Sequence, residues 1–213
     1  MSQPDPIQTL LDAVASGDDE KAEESARACA GQHRLLPALR PLLADADDDR
    51  RWWAVRTLAL IASTQAAPLL VEKLADRDAA VQCAAALGLG ELRFEAAVPE
   101  LIGRLADPNG WVRDCASDAL AMIGEAAVPA LVEAMRDPRD GGPPDGVRVR
   151  AATALRRIAL VGGKPGFGLD IRSPRGQAIG ALFRGLQDPN YLVHEHSHDA
   201  LERLGLLDNL IVM

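Results

Sequence analysis

Aromatic side chains are scarce: three Trp, one Tyr and three Phe make up 3% of 213 residues. A pocket walled by rings, of the kind that holds a large planar cofactor, lacks its building material, and no cofactor is expected. Any core must be assembled from Ala, Leu, Val and Ile, which suits closely packed helices. Basic charge is also short, with 23 Lys and Arg against 31 Asp and Glu, a net charge of −8. The attraction to phosphate that drives nucleic-acid and anionic-membrane binding therefore has no global source, and neither partner is expected. The imbalance is local: residues 1–50 hold eleven acids and five bases, which accounts for −6 of the −8. Cysteine is limited to Cys29, Cys83 and Cys115, an odd number without close metal-ligand spacing. Each falls in an Ala-rich stretch and is expected as a small buried residue in a reducing compartment. No run reaches the ~18 uninterrupted apolar residues of a membrane span, and the opening MSQPDPIQTLLDAV lacks the basic start and apolar centre of a secretory signal. A cytoplasmic location is the expectation. What is plentiful is ordinary globular material, 48% hydrophobic and 25% charged.

That material is repetitive. Placing Leu58, Leu89, Leu120, Leu155 and Leu201 in one column aligns WWAVRTLALIA, VQCAAALGLGEL, VRDCASDALAMIG, VRVRAATALRRIA and VHEHSHDALERLG, at spacings of 31, 31, 35 and 46 residues. Four positions earlier the column reads Ala54, Ala85, Ala116, Ala151, Ser197, and three later it reads Ile61, Leu92, Ile123, Ile158, Leu204. Apolar residues at these offsets form one stripe of an α-helix, and the small residues let a neighbouring helix come close. A shorter amphipathic run precedes each: LLPALRPLL, AAPLLVEKL, AVPELIGRL, AVPALVEAM, AIGALFRGL. Most carry a proline near the start, where a missing N–H costs nothing. Each unit is thus a helical hairpin, with Asp76, Asp107, Asp137 or Asp188 in its turn, suited to cap the second helix. Residues 6–30 read as a degenerate first pair, with helices near residues 7–15 and 19–30. The acidic run DDEKAEE favours the helix dipole and wets the outward face, as a capping unit requires. The expected architecture is a single all-α domain over residues 1–213. It comprises the 6–30 pair, five repeats over 33–205 and an apolar tail at 206–213.

The pattern A-x-P-x-L-x-x-L-x-D-x-x-x-x-V-R-x-x-A-A-x-A-L-x-x-I-G resembles HEAT repeats of the short phycobilisome (PBS) lyase type. AVPELIGRLADPNGWVRDCASDALAMIG is its nearest unit. The resemblance implies a right-handed α-α superhelix, a solenoid of about six hairpins, with the second helices lining a concave side. It also implies an inter-repeat ladder in which each turn Asp accepts from backbone N–H and from a basic residue further on: Asp107 with Arg113, Asp188 with His194, Asp76 with Gln82 and, across an insertion, Asp137 with Arg148.

Such solenoids serve several functions, so function must be argued from side chains. The −6 column (Trp52, Cys83, Asp114, Val149, Glu195) and the −2 column (Arg56, Leu87, Asp118, Thr153, Asp199) fall outside the buried stripe and predict an accessible ridge. Trp53 falls one place over, among core positions. Trp52, Arg56, Trp111, Asp114, Asp118, Arg156 and Glu195 are the expected contacts for another protein, with Trp52 as an exposed anchor or, equally, as a cover over the junction with the first pair. The expected function is a non-enzymatic protein-interaction scaffold or adaptor. The resemblance offers two alternatives: a bilin (tetrapyrrole) lyase-like accessory subunit and a HEAT-type metal-dependent oxygenase. For the latter, His194, His198 and Glu202 are one turn apart along one helical face and could ligate a divalent metal. The HEAT-repeat di-iron hydroxylases need several His-Glu pairs, however, and this chain has one, His194–Glu195. GGKPGFG at 162–168 lacks P-loop spacing and a preceding strand, and no G-x-S-x-G appears. The insertions at 138–146 and 161–175 are expected as surface loops that could each touch a partner. The tail GLLDNLIVM is apolar enough to need a cover, either the last hairpin or a second chain in a homodimer.

Overall fold

Six helical hairpins follow one another along the chain in a computed structural model that describes residues 5–63, 65–165 and 169–207. The helices are α1 (Pro6–Ser16), α2 (Asp19–Ala28), α3 (Leu36–Leu42), α4 (Asp48–Ile61), α5 (Ala67–Lys73), α6 (Ala79–Glu91), α7 (Val98–Arg104), α8 (Gly110–Ile123), α9 (Val128–Ala134), α10 (Asp145–Leu160), α11 (Pro174–Gly185) and α12 (Tyr191–Arg203). Among the described residues there is no strand. By compactness the chain divides into Met1–Phe94 and Glu95–Met213.

In Met1–Phe94, α1 packs on α2, α3 on α4 and α5 on α6, and the second helices α2, α4 and α6 stack side by side. In Glu95–Met213 the same scheme pairs α7 with α8, α9 with α10 and α11 with α12, while α8, α10 and α12 stack. The aligned leucines Leu58, Leu89, Leu120, Leu155 and Leu201 are fully buried, as are Ala54, Ala85, Ala116, Ala151 and Ser197. The small seam permits two close approaches. A Cβ at Gly88 on α6 would stand 2.9 Å from the Ala59 Cβ on α4, and one at Gly185 on α11 would collide with the Ser197 hydroxyl on α12. Pro37, Pro68, Pro99 and Pro129 each occupy the first turn of a first helix, where no backbone donor is lost. All three cysteines are buried. The stretch Gly110–Ala134 is long and apolar enough to cross a membrane by composition alone. It folds instead as α8 and α9, with Val112, Leu120, Val128 and Leu131 in the interior.

The turns differ from the sequence reading in a regular way. Asp76, Asp107 and Asp188 do not cap the second helix themselves; each accepts from the N–H two residues on, at 3.1, 2.9 and 2.8 Å. That next residue, Asp78, Asn109 or Asn190, is the N-cap and accepts from the first helical N–H groups. Asp45 and Asp47 repeat the arrangement at α4. The turn is an Asx turn feeding a cap, two short side chains dividing the orphan donors between them. At α10 the insertion breaks the motif: Asp137 caps the 3-10 turn Pro138–Asp140, and the N-cap Pro144 has no side-chain acceptor.

The ladder is also rewired. Among the described residues Gln82 reaches the main-chain carbonyl of Asp76, and Arg113 those of Asp107 and Pro108, each in its own turn. The Asp107 carboxylate is held by Arg104 of its own hairpin at 3.2 Å, and two others are reached from the preceding repeat. Arg51 on α4 joins Asp76 at 3.1 Å, and Arg148 on α10 joins Asp188 at 2.9 Å. Each arginine also donates to carbonyls of its own turn, Asp45 and Ala46 for Arg51, Pro143 for Arg148. A planar fork with several donors can satisfy carbonyls and a carboxylate together. Burial pushes the Asp76 carboxyl up, but the Asp78 N–H and the cations Arg51 and Lys73 outweigh it and leave its pKa lowered. Hydrogen bonding to Asp188 holds the Arg148 pKa above its ordinary value.

Candidate interaction face

The exposed side of the second helices carries a set of cross-helix ion pairs. In Met1–Phe94, Arg56 on α4 stands between two neighbours, 2.9 Å from Glu23 on α2 and 3.6 Å from Glu91 on α6. The hydrogen bond from Arg56 lowers the Glu23 pKa and raises that of Arg56. In Glu95–Met213, α10 is tied to α8 by Arg150–Asp114 at 3.1 Å and by Arg157–Asp118, and to α12 by Arg156–Asp199 at 2.6 Å. The Ser117 hydroxyl adds a bond to the Arg150 carbonyl at 2.9 Å. Each pair is half-exposed, so its contribution to stability is small, of order 0–1 kcal/mol. Its effect is to hold long side chains in one geometry.

Four of the seven expected contact residues, Arg56, Asp114, Asp118 and Arg156, are therefore joined to neighbouring repeats. Trp111, at the start of α8, is 55% exposed, and Glu195 on α12 is exposed without an ion pair among the described residues. Trp52 departs from the exposed-anchor expectation. It is partly buried against Leu10, Ala13, Ala22, Ala26 and Trp53, with its ring edge-on to that of Trp53 at 4.8 Å. The first pair, α1 and α2, needs a large side chain to close its inner seam, and Trp52 supplies one. Trp53 is core, as the column places it.

The column reading missed Arg150, Arg157, Glu23 and Glu91. It treats each repeat singly, whereas opposite charges on adjacent second helices become visible only when columns of successive repeats are compared. It also passed over Tyr191 and Leu192, exposed in the first turn of α12; Leu192 shares the register of Trp111, nine positions before the column leucine.

On α12 the His194 and His198 rings lie stacked with centroids 6.1 Å apart, and His198 Nδ1 is 3.8 Å from Glu202. Among the described residues no three His, Cys, Asp or Glu side chains come together as a metal site. Burial, with help from Arg156, pushes the His196 imidazole below its ordinary pKa.

The insertions are stitched to the repeats by arginines. Arg148 reaches Pro143 and Asp145, and Asn190 donates to Asp145 at 2.8 Å. Arg175 donates to the carbonyls of Ala159 and Gly163. Residues 166–168 of the second loop, and 208–213 of the tail expected to support a homodimer, lie outside the described residues.

Comparison with known proteins agrees with this geometry. Residues 68–156 match the family model for HEAT repeats, and residues 50–76 match that for the PBS lyase HEAT-like repeat. No curated protein matches the chain. Among solved structures, the archaeal HEAT-like repeats protein from Thermococcus onnurineus NA1 superposes with a TM-score of 0.57 at 16% identity, over 96% of this chain and 82% of that one. A designed armadillo repeat protein in complex with the peptide (KR)4 gives 0.47 at 21% identity, over 92% and 98% of the two chains. Human deoxyhypusine hydroxylase gives 0.40 at 16% identity, over 93% and 98%. At such identities the likeness is one of fold.

Proposed function

This chain is a HEAT-repeat protein with PBS lyase-type HEAT-like repeats, and we propose that it works as a non-enzymatic scaffold, receiving a partner protein on the exposed side of its second helices. The observation that carries the reading is the cross-helix pairing in Glu95–Met213. Arg150–Asp114, Arg157–Asp118 and Arg156–Asp199 fix the ridge side chains to one another, while Trp111 and Glu195 remain available beside them. A partner meeting side chains already ordered loses less conformational entropy on binding. An exposed indole next to a patterned charged surface is the composition of an interaction hot spot. In Met1–Phe94 the corresponding ridge residue is Arg56, held between Glu23 and Glu91.

Affinity purification of the tagged chain from its native host, followed by mass spectrometry, tests the proposal. A partner retained by the parent chain and lost with Trp111→Ala combined with Glu195→Ala, at unchanged melting temperature, is the expected result. Retention of every partner by that variant would remove the assignment.

A further inference from the structure

The first-helix side of Met1–Phe94 holds a second surface, built from side chains that the scaffold face does not use. From Ser25 to Ala44 the chain has no Asp or Glu, although residues 1–50 are otherwise the most acidic part of a protein with net charge −8. The basic residues of that window after Arg27 are His33, Arg34 and Arg40, all exposed. They gather at two adjoining hollows of ≈ 430 and ≈ 240 Å³ that share His33 and Gln65. The larger is completed by Ala62 and Ser63, in the connection from α4 to α5. The smaller has Arg34 and Arg40 on its rim, Pro37 on its wall and Leu36 and Leu69 as an apolar floor. Among the described residues no lining residue is acidic. Arg27 is withdrawn from the group by its ion pair with Glu23, and among the described residues Arg34 donates only to the side-chain carbonyl of Gln32. His33 and Arg40 have no side-chain partner among the described residues.

An uncompensated cationic cleft in a strongly acidic chain repels nothing that is negative only where the cleft is, and the rest of the surface turns generic polyanions away. Two adjoining hollows, open to solvent and in part floored by aliphatic carbon, suit a chain segment with both charged and apolar side chains better than a compact ion. We propose that this cleft is a docking site for an acidic peptide segment of a partner protein, with carboxylates on Arg34 and Arg40 and an aliphatic side chain over Pro37 and the Leu36–Leu69 floor.

The test is fluorescence polarisation on the full chain with three labelled probes: the peptide EEDLEDLE, its amide counterpart QQNLQNLQ, and an oligo-dT of equal charge. The acidic peptide is expected to bind, to weaken about tenfold between low and high salt, and to weaken about tenfold with Arg34→Glu combined with Arg40→Glu. Both arginines are exposed, so the variant should keep the parent melting temperature, and Arg172→Glu on the other unit should bind as the parent does. Equal binding of the amide peptide, tighter binding of the oligonucleotide, or indifference to the double variant would each overturn the proposal. Sedimentation velocity supplies a separate check: a dimer of the chain alone that dissolves in the double variant would assign the cleft to a second copy instead. The scaffold face is probed by Trp111 and Glu195, so failure of one site leaves the other standing.

Discussion

Arg51 and Asp76 close on each other at 3.1 Å across successive repeats, each side chain only 4% exposed. Removing one partner leaves a desolvated charge without its mate. Asp76→Ala is expected to cost about 3–5 kcal/mol in urea unfolding, whereas Arg51→Met combined with Asp76→Leu should recover most of the loss. The same carboxylate sets an acid limit. Its folded-state pKa is below the ordinary 3.8, so its contribution is complete above that value and is lost as the pH falls through the lower folded one. The acid-unfolding transition should therefore become less steep in Asp76→Asn, measured by circular dichroism against pH.

Gly185 and Ser197 form a seam with no spare volume. Gly185→Ala would bring its new methyl against the Ser197 hydroxyl and the Met135 methyl, and should lower stability by about 1–3 kcal/mol. The Ser197 hydroxyl has no hydrogen-bond partner among the described residues, so Ser197→Ala alone should be neutral or stabilising. Together the two changes should cost less than their sum, a coupling that a double-mutant cycle on melting temperature reads directly.

Trp52 and Trp111 should separate folding from binding. Trp52→Ala strips cover from Leu10, Ala13 and Ala22 and is expected to lower the melting temperature. Trp111→Ala should leave it unchanged and weaken capture of a partner.

Leu120 is fully buried in the repeat nearest the HEAT pattern. Leu120→Ala should cost about 2–5 kcal/mol by chemical denaturation, with no new contact able to fill the space between α8 and its neighbours.

The hairpins, the small-residue seam and the first-turn prolines were legible in the sequence because each follows from a period and from backbone chemistry that repeat at every unit. Leu58 through Leu201 are buried at the same offset for the same reason. What escaped was pairing between units of the pattern. Asp76 looks like a cap until Asp78 is seen to hold that role, and its true mate, Arg51, belongs to the preceding hairpin. Trp52 falls in an outward column by alignment, but α2, the second helix of the degenerate first pair, offers no large apolar side chain of its own, so the indole turns in. Neither outcome is written in one repeat alone.

The loop at 138–146 has a mechanical consequence. With Asp137 engaged by Arg139, Arg113 has no carboxylate to grip in the next hairpin. The ion pairs between α8 and α10 are all half-wet, whereas α10 and α12 keep the dry clasp of Arg148 on Asp188. Dissolved ions weaken the first kind of bond and barely touch the second. Within Glu95–Met213, flexure should therefore concentrate at the α8–α10 joint as electrolyte is added, giving the stack one adjustable vertebra beside a stiff one.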